Sequence, residues 1–170
     1  MVNNVAYFSK VSFPEYMKTR KKLFAVENEC TEDELFEEWL NIKLPQRATT
    51  GSAGYDFHIP MKKTVCGESV LIPTGIRADI RDGWVLMLYP RSGMGMKYRM
   101  MLDNTTGVID SDYFYADNEG HIMAKVHADT EFELQPGERF VQGVFIPFGV
   151  AENDNVTAQR HGGMGSTGTK

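Results

Sequence analysis

The sequence predicts an all-β barrel or jelly roll that carries one helix near its N-terminus. Two observations predict it. Beyond Pro45 the chain breaks into short runs of β-branched and aromatic residues that stop repeatedly at Gly or Pro, a rhythm that suits many short antiparallel strands and not a strand-helix-strand alternation. Before Pro45 a single stretch has helical periodicity, so the helix is an addition to a β-protein and not part of a repeating unit.

The elements follow in order. Residues 5–13 alternate loosely and read as an opening strand, interrupted by Pro14 and the basic run from Lys18 to Lys22. Thr31-Glu32-Asp33-Glu34 is a capping box: the Thr31 hydroxyl can accept from the Glu34 amide while the Glu34 carboxylate answers, and acids in a first turn suit the helix dipole. Leu35, Trp39 and Ile42 recur at i, i+4 and i+7, with Phe36 and Leu40 widening the stripe until Pro45 stops it. This 31–42 helix is expected either to pack on its own domain or to offer a surface to a protein partner. The whole 18–44 stretch exceeds what the core needs.

Strands are then expected at 70–72, ending at Pro73; at 84–89, ending at Pro90; and at 120–127, 132–134 and 140–148. Thr74-Gly75, Asp82-Gly83 and Pro136-Gly137 read as the turns between them. Residues 104–113, N-T-T-G-V-I-D-S-D-Y, read as a strand-turn-strand hairpin that presents the Asp110 carboxylate and the Tyr113 ring beside exposed amides. Residues 162–170 are rich in Gly, Ser and Thr and read as a flexible tail, the end of an arm spanning 159–170.

With 170 residues, 42% hydrophobic and 24% charged, the chain is expected to form one domain, 1–170. A formal net charge of -5 and the lack of a long Lys/Arg block argue against a nucleic-acid polymer as partner. A mononucleotide fits, because a few focused arginines can serve it. Cys30 and Cys66 match no C-x-x-C spacing and are expected to be free thiols in a reducing cytoplasm. The N-terminus lacks the pattern of a signal peptide, and no stretch approaches the ~20 apolar residues that span a bilayer, so a cytoplasmic location away from membranes is expected.

Four further stretches stand out as candidate chemistry. Thr50-Gly51-Ser52-Ala53-Gly54-Tyr55-Asp56 crowds small residues before a carboxylate. Pro90-Arg91-Ser92-Gly93 puts a guanidinium, a hydroxyl and a Gly amide in one turn, suited to phosphate oxygens. Gly137-Glu138-Arg139-Phe140-Val141-Gln142 places Arg139 after a turn and Gln142 on a strand. Arg160-His161-Gly162-Gly163-Met164-Gly165-Ser166-Thr167-Gly168 offers an Arg, two hydroxyls and many unhindered amides. The tail is not a P-loop, because Thr169-Lys170 follows in reversed order with no helix behind it. There is no G-x-S-x-G and no zinc-deaminase or H-E-x-x-H pattern, and His121 and His127 are expected at a strand surface.

Taken together and in order, the five stretches resemble the five motifs of the trimeric dUTPase family, over about residues 46–170. The resemblance implies a β jelly roll of the dUTPase type, assembled from three chains so that each active site takes motifs from all three. It implies hydrolysis of dUTP to dUMP and pyrophosphate, with Mg2+ held mainly by the triphosphate and no metal site of protein ligands. By the same resemblance Asp110 is the carboxylate that activates the attacking water, Gln142 positions that water, and Asp56 is the supporting acid. Asn104 and the hairpin backbone at Gly107 and Ile109 correspond to the uracil reader, and Tyr113 to the ring beneath the deoxyribose. Arg91, Ser92 and Gly93 correspond to the phosphate turn. Arg160, Gly165, Ser166 and Thr167 correspond to the closing arm, and Met164 stands where the family usually stacks a Phe on uracil. After Tyr113 the family's short turn is replaced by residues 114–119, which must bulge. Two other readings remain: a deoxycytidine triphosphate deaminase-like enzyme, which would need an acid/base at the pyrimidine, and a nucleotide-binding regulatory protein that uses the helix as a contact surface.

Overall fold

The computed structural model describes residues 4–23, 30–158, 160 and 162. The arm residues Met164, Gly165, Ser166 and Thr167 lie outside the described residues.

The N-terminal region holds two helices where the sequence suggests one. After β1 (Ala6–Lys10), α1 runs Phe13–Leu23. Pro14 sits in its first turn, where a missing amide hydrogen costs nothing, and the Ser12 hydroxyl accepts from the Glu15 amide at 3.3 Å. The basic run that reads as a break is the last turn of this helix, the end at which cations suit the dipole. Helix α2, Glu32–Leu40, has the expected capping box: the Thr31 hydroxyl accepts from the Glu34 amide at 3.2 Å, and the Thr31 amide donates to Glu34 Oε2 at 2.7 Å. Thr31→Ala is therefore expected to cost about 1 kcal/mol in urea denaturation.

α2 spends its stripe on its own chain. Leu35 is buried, as is Ile42 just beyond the helix, and the Trp39 indole donates to the Val11 carbonyl at 2.9 Å. Lys10 Nζ donates to the last-turn carbonyls of Trp39 and Leu40 at 2.9 and 2.8 Å. Glu38 accepts from Arg20 Nε at 2.7 Å and from the Tyr16 hydroxyl at 2.5 Å, which locks the two helices together. Phe36 and Leu40 stay exposed.

The β-structure is antiparallel in every pairing. The strands are β2 (Gln46–Arg47), β3 (Tyr55–His58), β4 (Lys63–Val65), β5 (Val70–Ile80), β6 (Trp84–Pro90), β7 (Met101–Leu102), β8 (Gly107–Ile109), β9 (Ile122–His127), β10 (Phe132–Leu134) and β11 (Arg139–Pro147). One sheet has the order β1-β5-β9-β7, a second β2-β3-β11-β6-β8, and β10-β4 forms a separate ribbon. Between them Phe57, Ile72, Ile76, Leu86, Leu88, Ile122 and Phe140 form one almost fully buried cluster. At ~25 cal/mol per Å2 such burial is the main favourable contribution to folding. Among the described residues no helix is long and apolar enough to cross a membrane.

Three local expectations are corrected by this architecture. Thr74-Gly75 is no turn and Pro73 does not end the strand: β5 runs through them as a bulge, with a register shift between Pro73 and Ile76. The displaced groups find partners far along the chain. Thr74 Oγ1 donates to the Ile122 carbonyl at 2.6 Å, and the Gly75 amide donates to His121 Nε2 at 2.9 Å. Gly75 has a φ of +70°, and a Cβ there would lie 2.3 Å from Ile42 Cδ1, so the helical region closes over this bulge. His121, expected at a strand surface, is fully buried because it serves the bulge. His127 is partly exposed, with Nδ1 2.8 Å from Asp103 Oδ1.

The second correction is that residues 104–113 do not form a hairpin. β7 pairs with β9 in one sheet and β8 with β6 in the other, so the intervening turn steps between sheets. β8 can lie close on β6 because Gly107 lacks a side chain: a Cβ there would sit 3.1 Å from Leu88 Cβ. After Ile109 the chain enters a 3-10 turn, Ser111–Tyr115, instead of a second strand. Third, Arg91-Ser92-Gly93 is not an isolated turn. Arg91 caps a short helix, α3 (Ser92–Tyr98), whose first bonds run from Met94 and Gly95 to the Arg91 carbonyl.

Candidate active site

A cavity of about 460 Å3 opens where β8 leaves its sheet and meets β9. The inter-sheet turn contributes Asn104, β8 contributes Gly107 and Ile109, and Asp110 and Tyr113 follow directly. Five residues named by the sequence thus share one site, because a stretch of ten residues bends round it. Ile109 is buried and gives the cavity an apolar wall, whereas the Asp110 side chain keeps 47% of its surface exposed at the rim.

Tyr113 is only 3% exposed. Its hydroxyl donates to the His121 carbonyl at 2.8 Å and accepts from Asn118 Nδ2 at 2.8 Å. Burial, despite the Asn118 bond and nearby Arg160, pushes its pKa above the ordinary tyrosine value, so the ring is a neutral wall. Arg160 reaches the same cavity: Nη2 lies 2.5 Å from Asp110 Oδ2, Nε lies 2.9 Å from Asp112 Oδ1, and the guanidinium carbon is 5.7 Å from the Tyr113 ring centre.

Asp56, Arg91, Ser92, Gly93 and Gln142 do not line that cavity. Asp56, Arg91 and Gln142 gather around β3 and β11 instead, while Ser92 and Gly93 follow Arg91 in the first turn of α3. Asp56, 7% exposed, has both oxygens engaged, Oδ1 by Arg91 Nε at 2.9 Å and Oδ2 by Arg139 Nη1 at 3.1 Å. Gln142 stands opposite Asp56 in the β3-β11 register. A Cβ at Gly54 would come within 2.7 Å of Gln142 Oε1, so this glycine makes room for the amide. Asp56 therefore holds two arginines in place on a strand end.

Sequence reasoning missed Arg139 as the second partner of Asp56, and Asn118 and His121 as the supports of Tyr113. Arg139 lies 83 residues from Asp56, a separation that no local pattern reveals. Gly120, with φ +69° and a Cβ position 2.6 Å from the Tyr113 carbonyl oxygen, is the one sequence sign that the loop folds back on the tyrosine.

Among the described residues there is no group of three or more His, Cys, Asp or Glu side chains able to hold a metal ion.

Two antiparallel sheets with a cavity rimmed by a carboxylate and a guanidinium define a protein of the β class with a candidate small-molecule site. A family model described as dUTPase matches residues 40–169, and the chain belongs to the dUTPase family. The Lactococcus lactis deoxyuridine 5'-triphosphate nucleotidohydrolase is 46% identical over 135 residues, covering 75% of this chain and 89% of that protein. The crystal structure of dUTPase from Streptococcus mutans has 42% sequence identity and a TM-score of 0.61, covering 66% of this chain and 91% of that one. A mutant dUTPase of phage phi11 of S. aureus, whose structure is described as revealing the coordination of a structural Mg(II) ion, shares the fold at 20% identity and a TM-score of 0.57, over 69% of this chain and 92% of that one. The family match begins at residue 40, so β1, α1 and all of α2 but Leu40 lie outside it.

Proposed function

We propose that this chain hydrolyses dUTP to dUMP and pyrophosphate. The observation that carries the reading is the convergence of Asn104, Gly107, Ile109, Asp110 and Tyr113 on one cavity in a member of the dUTPase family. Uracil is read by Asn104 and the β8 backbone and covered by Met164, and the deoxyribose rests on Tyr113. Water attacks the α-phosphorus, its proton passes to Asp110, and the bond to the bridging oxygen breaks so that pyrophosphate leaves with the electron pair. Gln142 positions the water. Arg91, Ser92 and Gly93 serve the phosphates, with Asp56 fixing the angle of the Arg91 guanidinium. Magnesium enters with the triphosphate as part of the substrate.

Arg160 pairs with Asp110. A triphosphate carries more charge than one carboxylate, so it can draw Arg160 away together with Gly165, Ser166 and Thr167 of the arm, which frees Asp110 to accept a proton. Because the Asp56, Arg91 and Gln142 group does not line the cavity of its own chain, a complete site calls for another copy, which supports an oligomer; that the oligomer is a homotrimer is what the family resemblance implies. A reducing cytoplasm suits the two free cysteines, both exposed.

Incubating the purified protein separately with dUTP, dCTP and UTP, and following pyrophosphate and ammonia, tests the activity. Pyrophosphate from dUTP without ammonia is expected, and ammonia from dCTP would overturn the reading. For the assembly, Asp110→Asn and Arg91→Ala proteins mixed under subunit exchange are expected to regain activity that neither has alone. A fully active monomer by light scattering would exclude the shared site.

A further inference from the structure

The loop that follows Tyr113 is tied to the N-terminal helical region by one side chain. Glu119 Oε2 accepts from the Ser12 amide at 2.8 Å, and Oε1 accepts from the Ser12 hydroxyl at 2.6 Å. Ser12 stands at the start of α1, where its carbonyl accepts from the Tyr16 amide at 3.0 Å. Glu119 itself has a φ of +56°, a left-handed conformation that a residue with a Cβ adopts only when its surroundings hold it there. Gly120 is left-handed as well, at +69°.

These two consecutive residues reverse the chain so that Asn118 returns to Tyr113 and donates to its hydroxyl at 2.8 Å, while His121 presents the carbonyl that the same hydroxyl donates to. Arg77 holds the other side of the loop, with Nη2 2.6 Å from the Phe114 carbonyl, its guanidinium 3.6 Å from the Phe114 ring and Nη1 3.9 Å from Glu119. Burial would raise the Glu119 pKa, but the Ser12 bonds and Arg77 hold it below the ordinary value, so the acceptor stays ionised near neutral pH.

We propose that the Ser12–Glu119 clamp positions the Tyr113 ring and so sets how strictly the site excludes ribonucleotides. This rests on Tyr113 being the ring beneath the deoxyribose. If the loop slackens, both hydrogen bonds that aim the phenol loosen, the ring gives way, and space for a 2′-hydroxyl appears. The start of α1, outside the matched family region, thereby reaches the sugar subsite without touching substrate. Glu119 is a positioning residue.

The test compares kcat/KM for dUTP and UTP in Glu119→Ala, Glu119→Gln, Tyr113→Ala and the Glu119→Ala/Tyr113→Ala double variant. Glu119→Ala is expected to narrow the dUTP preference about tenfold, since small displacements of a positioning group change rates by such factors. Glu119→Gln, which can accept from the amide and donate to the hydroxyl of Ser12, is expected to restore most of the preference. On the Tyr113→Ala background Glu119→Ala should have no further effect on the ratio. A lower melting temperature with an unchanged ratio, or an undiminished effect without Tyr113, would overturn the clamp. If Tyr113→Ala alone leaves the ratio intact, the sugar reading of Tyr113 falls first and the clamp with it. Should Glu119→Ala fail to fold, Ser12→Ala removes only the hydroxyl bond; a narrowed ratio there supports the clamp, and an unchanged one overturns it.

Discussion

Asp110→Asn protein is expected to keep its affinity for a non-hydrolysable dUTP analogue while turning dUTP over about 10²–10⁴-fold more slowly, the usual worth of a general base. The substitution keeps the size and shape of the side chain and removes the acceptor for the water's proton. It also takes the charged partner from Arg160, but Asp110 is 47% exposed and an ion pair in that position adds little to folding. The melting temperature should therefore stay close to the parent's. Pyrophosphate release gives the rate and calorimetric titration gives the affinity. A variant that hydrolyses dUTP near the parental rate would remove Asp110 from the chemistry, and with it the reading of the cavity as the site of hydrolysis.

What could be read from the sequence was what is local. The capping box at Thr31 involves residues three apart, and the strand ending at Pro90 is marked by its own composition, so both are legible without a fold. Asn104 to Tyr113 stood out as one contiguous stretch for the same reason, but its path did not: it steps between two sheets instead of forming a hairpin. Pro73-Thr74-Gly75 has turn composition, yet Thr74 bonds Ile122 and Gly75 bonds His121, partners 48 and 46 residues away that keep the strand running. The same long-range bond draws His121 into the core, against the expectation from its neighbours. Helix α1 was hidden because Pro14 and a run of cations look like a break, and become a helix start and end only once Tyr16 has a core to enter. The grouping of Asp56 with Arg91 and Arg139 depends on the β3-β11 pairing and leaves no trace in spacing.

The buried His121 makes stability depend on pH. Its Nε2 must stay unprotonated to accept the Gly75 amide, and Nδ1 has no hydrogen-bond partner among the described residues. Burial pushes its pKa from the ordinary 6.5 down to about 4, although Glu119 nearby pulls the other way. Because the folded value lies below the unfolded one, the unfolded chain binds the proton first. The stability present above about pH 6.5 is then lost as pH falls towards about 4, where the folded state protonates too. That interval corresponds to about 3 kcal/mol, a large share of the stability of a domain this size. In His121→Gln the side-chain oxygen can accept the same amide hydrogen and does not titrate. Carboxylates remote from His121 also lose stability in acid, but equally in both proteins; Glu119, whose pKa His121 helps to lower, is the one coupled to the substitution. Urea denaturation at pH 7, 5.5 and 4.5 should therefore show the parent losing ground to the variant step by step as pH falls. Parallel curves would mean that the His121 ring takes up its proton in the folded chain at little cost, and that the bond to Gly75 does not hold the bulge of β5.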